Sequence, residues 1–169
     1  MTLMAEEEHH GGCLCGSVRY TVIGHPKPTG VCHCRYCQLR TGSAFGVLAY
    51  FEPDKFRLDK GELTHYNFKS ESDKNWDIYF CPTCGTTVYY NLESWGPLIG
   101  IDAGTFDPPT FWFDILGEGF TKAKALFIGD IKAGQHNETF PGYRAVNAQE
   151  GRLMSFATEE EYSSLVWKN

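Results

Sequence analysis

The 169-residue chain contains no apolar run near 18 residues, so no helical membrane span is expected. Its opening residues, Met1 to His10, are polar and acidic and lack the apolar stretch of a secretory signal. Basic excess is absent too. Against 21 Asp and Glu stand 15 Lys and Arg, a formal charge of −6. That balance counts against a general nucleic-acid binder, whose surface should be basic. There is no internal repeat, low-complexity block or dividing linker, and the length fits one domain. The expected layout is a disordered tail over residues 1–10 and a single domain over residues 11–169. A chain of this size buries a real core, so its seven cysteines are not needed as staples. The cytoplasm is the expected compartment, and under reducing conditions clustered cysteines are more often metal ligands than disulfides.

Aromatic residues make up 15% of the chain, and its 18 glycines and 8 prolines are spread along it. Short strands joined by turns suit that composition better than a helix bundle. Val18, Tyr20 and Val22 alternate with Arg19 and Thr21, the period of a half-buried strand. Ser43 to Phe51 is mostly apolar and reads as a fully buried strand. Further strands are expected at Phe56–Leu58, Leu63–Phe68, Trp76–Phe80, Thr86–Tyr90, Leu98–Asp102 and Ala123–Ile128, with a polar hairpin loop over Lys69–Asn75. Arg35 to Thr41 suits one or two helical turns ended by Gly42. Phe156 to Val166 reads as partly helical, with Thr158 and Glu161 spaced as a capping box.

The cysteines fall in three runs: Cys13-x-Cys15, Cys32-x-Cys34-x-x-Cys37 and Cys81-x-x-Cys84. A structural zinc takes four ligands. If no run is split between metals, Cys13, Cys15, Cys81 and Cys84 form the only set of four. Cys32, Cys34 and Cys37 are left as a set of three with an open position. Cys81-Pro82-Thr83-Cys84-Gly85 has the form of a zinc knuckle. The Cys-x-Cys pair demands a bent backbone. Residues two apart on a flat strand are separated by roughly 6.6 Å, whereas sulfurs sharing a tetrahedral zinc approach to roughly 3.8 Å. Three thiolates leave bound zinc with a net charge of −1, a weak Lewis acid better matched to exchanging in an external thiolate than to activating water. His33 is either a fourth ligand that closes the triplet or a residue packed behind it. In an extended segment it faces away from Cys32 and Cys34.

Gly12-Cys13-Leu14-Cys15-Gly16-Ser17-Val18-Arg19-Tyr20, Cys32-His33-Cys34-Arg35-Tyr36-Cys37-Gln38 and Phe80-Cys81-Pro82-Thr83-Cys84-Gly85 resemble the motifs of the glutathione-dependent formaldehyde-activating enzyme (Gfa) family, also called the centromere protein V family. Ala103-Gly104-Thr105-Phe106-Asp107 is similar to a further family segment. The resemblance implies a mostly-β fold, a zinc-stabilised β-tent of several coiled antiparallel β-sheets with one or two short helices. It implies two zinc ions per chain, a structural one on Cys13, Cys15, Cys81 and Cys84 and a catalytic one on Cys32, Cys34 and Cys37, the latter held more weakly. The implied activity is that of a carbon–sulfur lyase acting on a glutathione or other thiol adduct of a small aldehyde, as in S-hydroxymethylglutathione. Glutathione is then a co-substrate, and the partners are small thiols or aldehydes rather than nucleic acid or membrane.

Arg35, Arg40 and Ser43 are candidates to bind a substrate carboxylate or oxyanion, arginine because its fork pairs with carboxylate oxygens. Tyr36, Gln38 and His136 are weaker candidates, and no residue is assigned as general base. Two other readings stand beside the lyase: the same pocket tailoring another small electrophilic metabolite, and a non-catalytic zinc-binding interaction module. An open triplet in an aromatic-lined cleft favours an enzyme, and a closed one favours the module. The sequence carries no signal for oligomeric state.

Overall fold

A computed structural model describes residues 7–140 and 143–144. Eleven strands and one α-helix form among these residues. Strands β1 (Glu8–Gly12), β2 (Arg19–Ile23) and β5 (Phe56–Lys60) make a small sheet in the order β1-β2-β5. The larger sheet has eight strands. Its members are β3 (Thr29–Cys32), β4 (Gly46–Phe51), β6 (Thr64–Lys69), β7 (Asn75–Phe80), β8 (Thr87–Leu92), β9 (Ile99–Asp102), β10 (Gly117–Gly119) and β11 (Gln135–His136). Their order is β11-β10-β3-β4-β9-β8-β7-β6. The mostly-β expectation holds, with α1 (Arg35–Thr41) the one α-helix described. Among the described residues no helix is long and apolar enough to cross a membrane.

Strand β4 organises the interior. Alternate side chains of a strand point to opposite faces, and both faces of β4 are covered. Ala49 and Phe51 enter one core with Val18, Tyr20, Val22, Val88 and Ile101. Leu48 and Tyr50 enter a second with Tyr36, Trp76, Tyr90, Leu92 and Phe120. Hence this segment reads as continuously apolar rather than alternating. Each core ends in a cysteine group: Cys13 and Cys81 belong to the first, Cys32, Cys34 and Cys37 to the second.

Several expectations need correction. Glu8 to His10, expected in the tail, lie in strand β1. Polar partners hold them: His10 Nδ1 meets the Thr21 hydroxyl at 2.8 Å, and the His9 ring stacks on Trp112 at 3.7 Å. Thr21, expected on the outer face of β2, is buried as well, its hydroxyl donating to Asp59 at 2.5 Å. Ala123–Ile128 forms no strand, and Thr121–Ala123 is a single 3-10 turn. The late strands are instead β10 and β11, of three and two residues, too short to show a period. Strand β10 is also not antiparallel. It pairs in parallel with β3 and with β11, which the long intervening chain permits. The helix expected at Phe156–Val166, with Thr158 and Glu161, lies outside the described residues, as do Met1 to Glu6 of the tail.

Gly100 in β9 shows how tightly the second core closes. A Cβ there would sit 2.1 Å from Cε2 of Tyr90. The Tyr90 ring cannot retreat, because the Arg40 guanidinium lies 4.1 Å from its centroid and Tyr50 packs edge-on. Gly100→Ala should therefore destabilise the protein by about 1–3 kcal/mol through overpacking. The check is urea denaturation, where the midpoint should fall with an unchanged slope. A wild-type midpoint would show that this contact has slack.

Candidate metal centres and active site

The first cysteine group forms where two turns meet. Cys13 and Cys15 follow β1, and Cys81 and Cys84 follow β7. Cys13 Sγ lies 3.5 Å from Cys15 Sγ, which lies 3.7 Å from Cys81 Sγ. All four sulfurs fall within 4.8 Å of one another. That matches the roughly 3.8 Å spacing of thiolates on a tetrahedral zinc. The bend demanded by Cys-x-Cys is real: Cys13 O accepts from Gly16 N–H at 3.0 Å, and Gly16 has φ 74°. Gly85 takes the same left-handed conformation at φ 73° in the knuckle. Backbone and hydroxyl donors point at the sulfurs. Val18 N–H donates to Cys13 Sγ at 3.2 Å. Thr86, through its hydroxyl at 3.2 Å and its backbone, holds the Cys84 thiol down to about 5. Such donors stabilise thiolates, the form a metal requires.

The second group is built by one strand end and one helix start. Cys32 ends β3, Cys34 caps α1, and Cys37 lies in its first turn. Cys34 Sγ accepts the Cys37 N–H at 3.4 Å, in the place an N-cap oxygen usually takes. The helix thereby curls Cys37 back toward Cys34, and the three buried sulfurs lie within 4.8 Å. Sulfur contacts from Cys32 and Cys34, with the nearby Arg40 cation, hold Cys37 well below the ordinary thiol range despite burial. The same contacts, together with burial, push Cys32 up. One thiolate is thus comfortable here. Three would require another positive charge, as a bound metal provides.

Among the described residues no further His, Cys, Asp or Glu joins this triplet. His33 is fully buried and turned away, its Nε2 2.9 Å from Glu118 Oε1. Burial holds its ring below the ordinary histidine range. Glu118 also meets Lys124 at 2.9 Å and His136 at 2.5 Å. Burial opposes its charge, but these three partners outweigh it and hold the carboxyl down to about 2. His33 is therefore a packed residue behind the ligand strand, and His136 serves the same network.

The triplet opens on a chamber of about 680 Å³ lined by Tyr36, Tyr50, Trp76, Trp95, Phe120 and Phe140, among others. Arg35 lines it, with a 3.3 Å bond to Gln38. Arg40 does not. Its buried guanidinium pairs with Asp102, stacks on Tyr90 and approaches Cys37 Sγ at 3.9 Å. Arg40 is thus committed to Asp102, Tyr90 and Cys37. Ser43 lies on a separate depression with Thr41 and Asp102. Gln38 donates to the His33 and Ala44 carbonyls and is structural. Sequence reasoning missed Glu71 and Glu118, both buried acids of the second core's surroundings. Each comes from a polar or glycine-rich stretch with no local sign of burial.

A family model described as glutathione-dependent formaldehyde-activating enzyme matches residues 8–122. An uncharacterized lyase of Schizosaccharomyces pombe is 29% identical over 110 residues, 59% of this chain and 75% of its own. A Halomonas elongata protein, whose name proposes it as a glutathione-dependent formaldehyde-activating enzyme, is 26% identical over 102 residues. That match covers 57% of this chain and 64% of the relative. A crystal structure of a Rhodobacter sphaeroides protein superposes with a TM-score of 0.47 at 22% identity, covering 62% of this chain and 95% of the other.

The two cysteine groups should answer differently to substitution. Metal analysis should find about two zinc ions per chain. Cys34→Ser keeps an oxygen to cap α1, so it should lose one ion and remain folded. Cys84→Ser should lose the other ion and unfold, because a structural zinc contributes about 10–16 kcal/mol and a domain's net stability is about 5–15 kcal/mol. Metal content with circular dichroism decides, and equal unfolding of both variants would refute the division.

Proposed function

This chain belongs to the glutathione-dependent formaldehyde-activating enzyme family, and from that premise we propose that it is a zinc-dependent carbon–sulfur lyase. Its substrate on this reading is the thiol adduct of a small aldehyde, with S-hydroxymethylglutathione as the type compound. The observation that carries the reading is the three-sulfur cluster, open on one side to an aromatic chamber. A module that merely uses zinc to fold would close its site with a fourth ligand. Here the obvious fourth ligand, His33, is held by Glu118 instead.

Both donor sets fit zinc by sulfur spacing and softness. Zinc at the triplet supplies a position for the sulfur of the substrate thiol. The chain's own residues do the rest. Cys32, Cys34 and Cys37, which would hold the ion, line the chamber. Trp76, Trp95 and Phe120 form its apolar wall, and Arg35 presents a guanidinium there for a substrate carboxylate. Arg40, through Cys37, offsets part of the negative charge on the sulfurs. None of the seven thiols is in a disulfide, which suits a reducing compartment such as the cytoplasm. A second reading has one observation in its favour. The chamber walls are largely aromatic, which suits a bulkier apolar electrophile better than a one-carbon aldehyde.

The direct test incubates zinc-loaded protein with S-hydroxymethylglutathione and follows free formaldehyde. Release should exceed the uncatalysed rate and fall to it in Cys34→Ser. Wild-type release at the uncatalysed rate would shift the assignment to the bulkier electrophile.

A further inference from the structure

Glu71 lies at the tip of the β6–β7 hairpin, where an acidic side chain ordinarily reaches water. Here the residue is only 3% exposed. Its backbone N–H donates to the Tyr36 hydroxyl at 2.9 Å, which ties the hairpin tip to α1. That bond uses the main chain, so any residue at this position supplies it. The Tyr36 hydroxyl also interacts with the carboxyl of Glu71. Its Oε2 meets no hydrogen-bond partner, although the side chain lines the same chamber as Cys32, Cys34 and Cys37. A buried polar oxygen left without a partner is unfavourable and calls for a reason.

The chamber wall has one other acid among the described residues, Glu93. It is already committed: Asn75 and Lys74 donate to it and hold it down to about 2. It is a poor base. Burial instead pushes Glu71 above the ordinary carboxylate range, offset only in part by the Tyr36 hydroxyl and the Lys122 charge. A carboxyl that burial pushes upward and that lines the chamber is better suited to accept a proton than one held down.

We propose, resting on the lyase reading above, that Glu71 is the general base of adduct cleavage and the general acid of the reverse reaction. In the forward direction its carboxylate takes the proton from the hydroxyl of R–S–CH₂–OH. The O–H electron pair becomes the second bond of the carbonyl. The carbon–sulfur bond breaks, and its pair leaves on sulfur. The products are formaldehyde, a thiolate and protonated Glu71, which returns its proton to solvent. No oxidant or reductant is involved. Tyr36, bonded to the Glu71 amide, is a positioning residue.

The test compares zinc-loaded wild type with Glu71→Gln and Glu71→Asp on S-hydroxymethylglutathione. Glu71→Gln should lower kcat about 100-fold or more with little change in KM. The wild-type kcat should rise with pH through a carboxyl titration that Glu71→Gln abolishes and Glu71→Asp retains. Unchanged kcat, or a rise in KM alone, overturns the proposal, the latter because it marks a group that only binds substrate. Absence of turnover in the wild type counts against the lyase reading, and Glu71 is then judged separately. With glutamate carboxyls labelled with ¹³C, its signal, assigned by loss in Glu71→Asp, should titrate above the ordinary range. It should also shift on addition of glutathione or 2-mercaptoethanol. A signal that ignores both thiols overturns the proposal.

Discussion

The meeting of Cys15 and Cys81, sulfurs 3.7 Å apart and 66 residues apart in sequence, is the contact on which the architecture depends. One member follows β1 of the small sheet and the other follows β7 of the large sheet. A metal held by the four sulfurs would therefore clamp the two sheets together. A cross-link over a loop of this length restricts the unfolded chain by about 4 kcal/mol. The core beneath it, from Val18 and Tyr20 across to Ile101 and Val88, is the surface the clamp holds closed.

The triplet depends on that clamp at one remove. Strand β4 shares its two faces between the cores, so fixing the first core fixes the wall against which the second packs. Behind the three sulfurs stand two charge systems. Arg40 lies between Cys37, Asp102 and Tyr90, and Glu118 gathers His33, Lys124 and His136. The Arg40–Asp102 pair is buried, and removing one partner would leave a charge uncompensated at a cost of about 3–5 kcal/mol. Arg40 and His33 thus pack behind the three cysteines, on the side away from the chamber. The chamber side is left to aromatic rings and to Arg35 and Glu71.

Much of the metal chemistry was legible because it is short-range. Cys81-Pro82-Thr83-Cys84-Gly85 carries its own turn, and Cys34-Arg35-Tyr36-Cys37 carries its own helical turn and cap. Most of the central strands were legible from apolar content. The errors fell where polar residues are satisfied by distant partners. Glu8 to His10 looked like a tail because the Thr21 and Trp112 contacts that order them are invisible locally. The Arg40–Asp102 pair was equally invisible, because Asp102 lies on another strand.

By itself, then, the sequence determined which cysteines group together, since ligand count and spacing are local arithmetic and a metal demands a definite number of donors. It also determined a mostly-β chain through the alternation and turn residues of its segments. Tertiary structure alone decided which polar side chains line the chamber beside the triplet. Arg35 and Glu71 line it, whereas Arg40, Ser43 and His33 do not. The physical reason is that burial and pairing are set by whichever strand or hairpin arrives from elsewhere in the chain. Glu71 reads as a solvated loop acid, yet Tyr36, on a different element, bonds its backbone and the residue is buried.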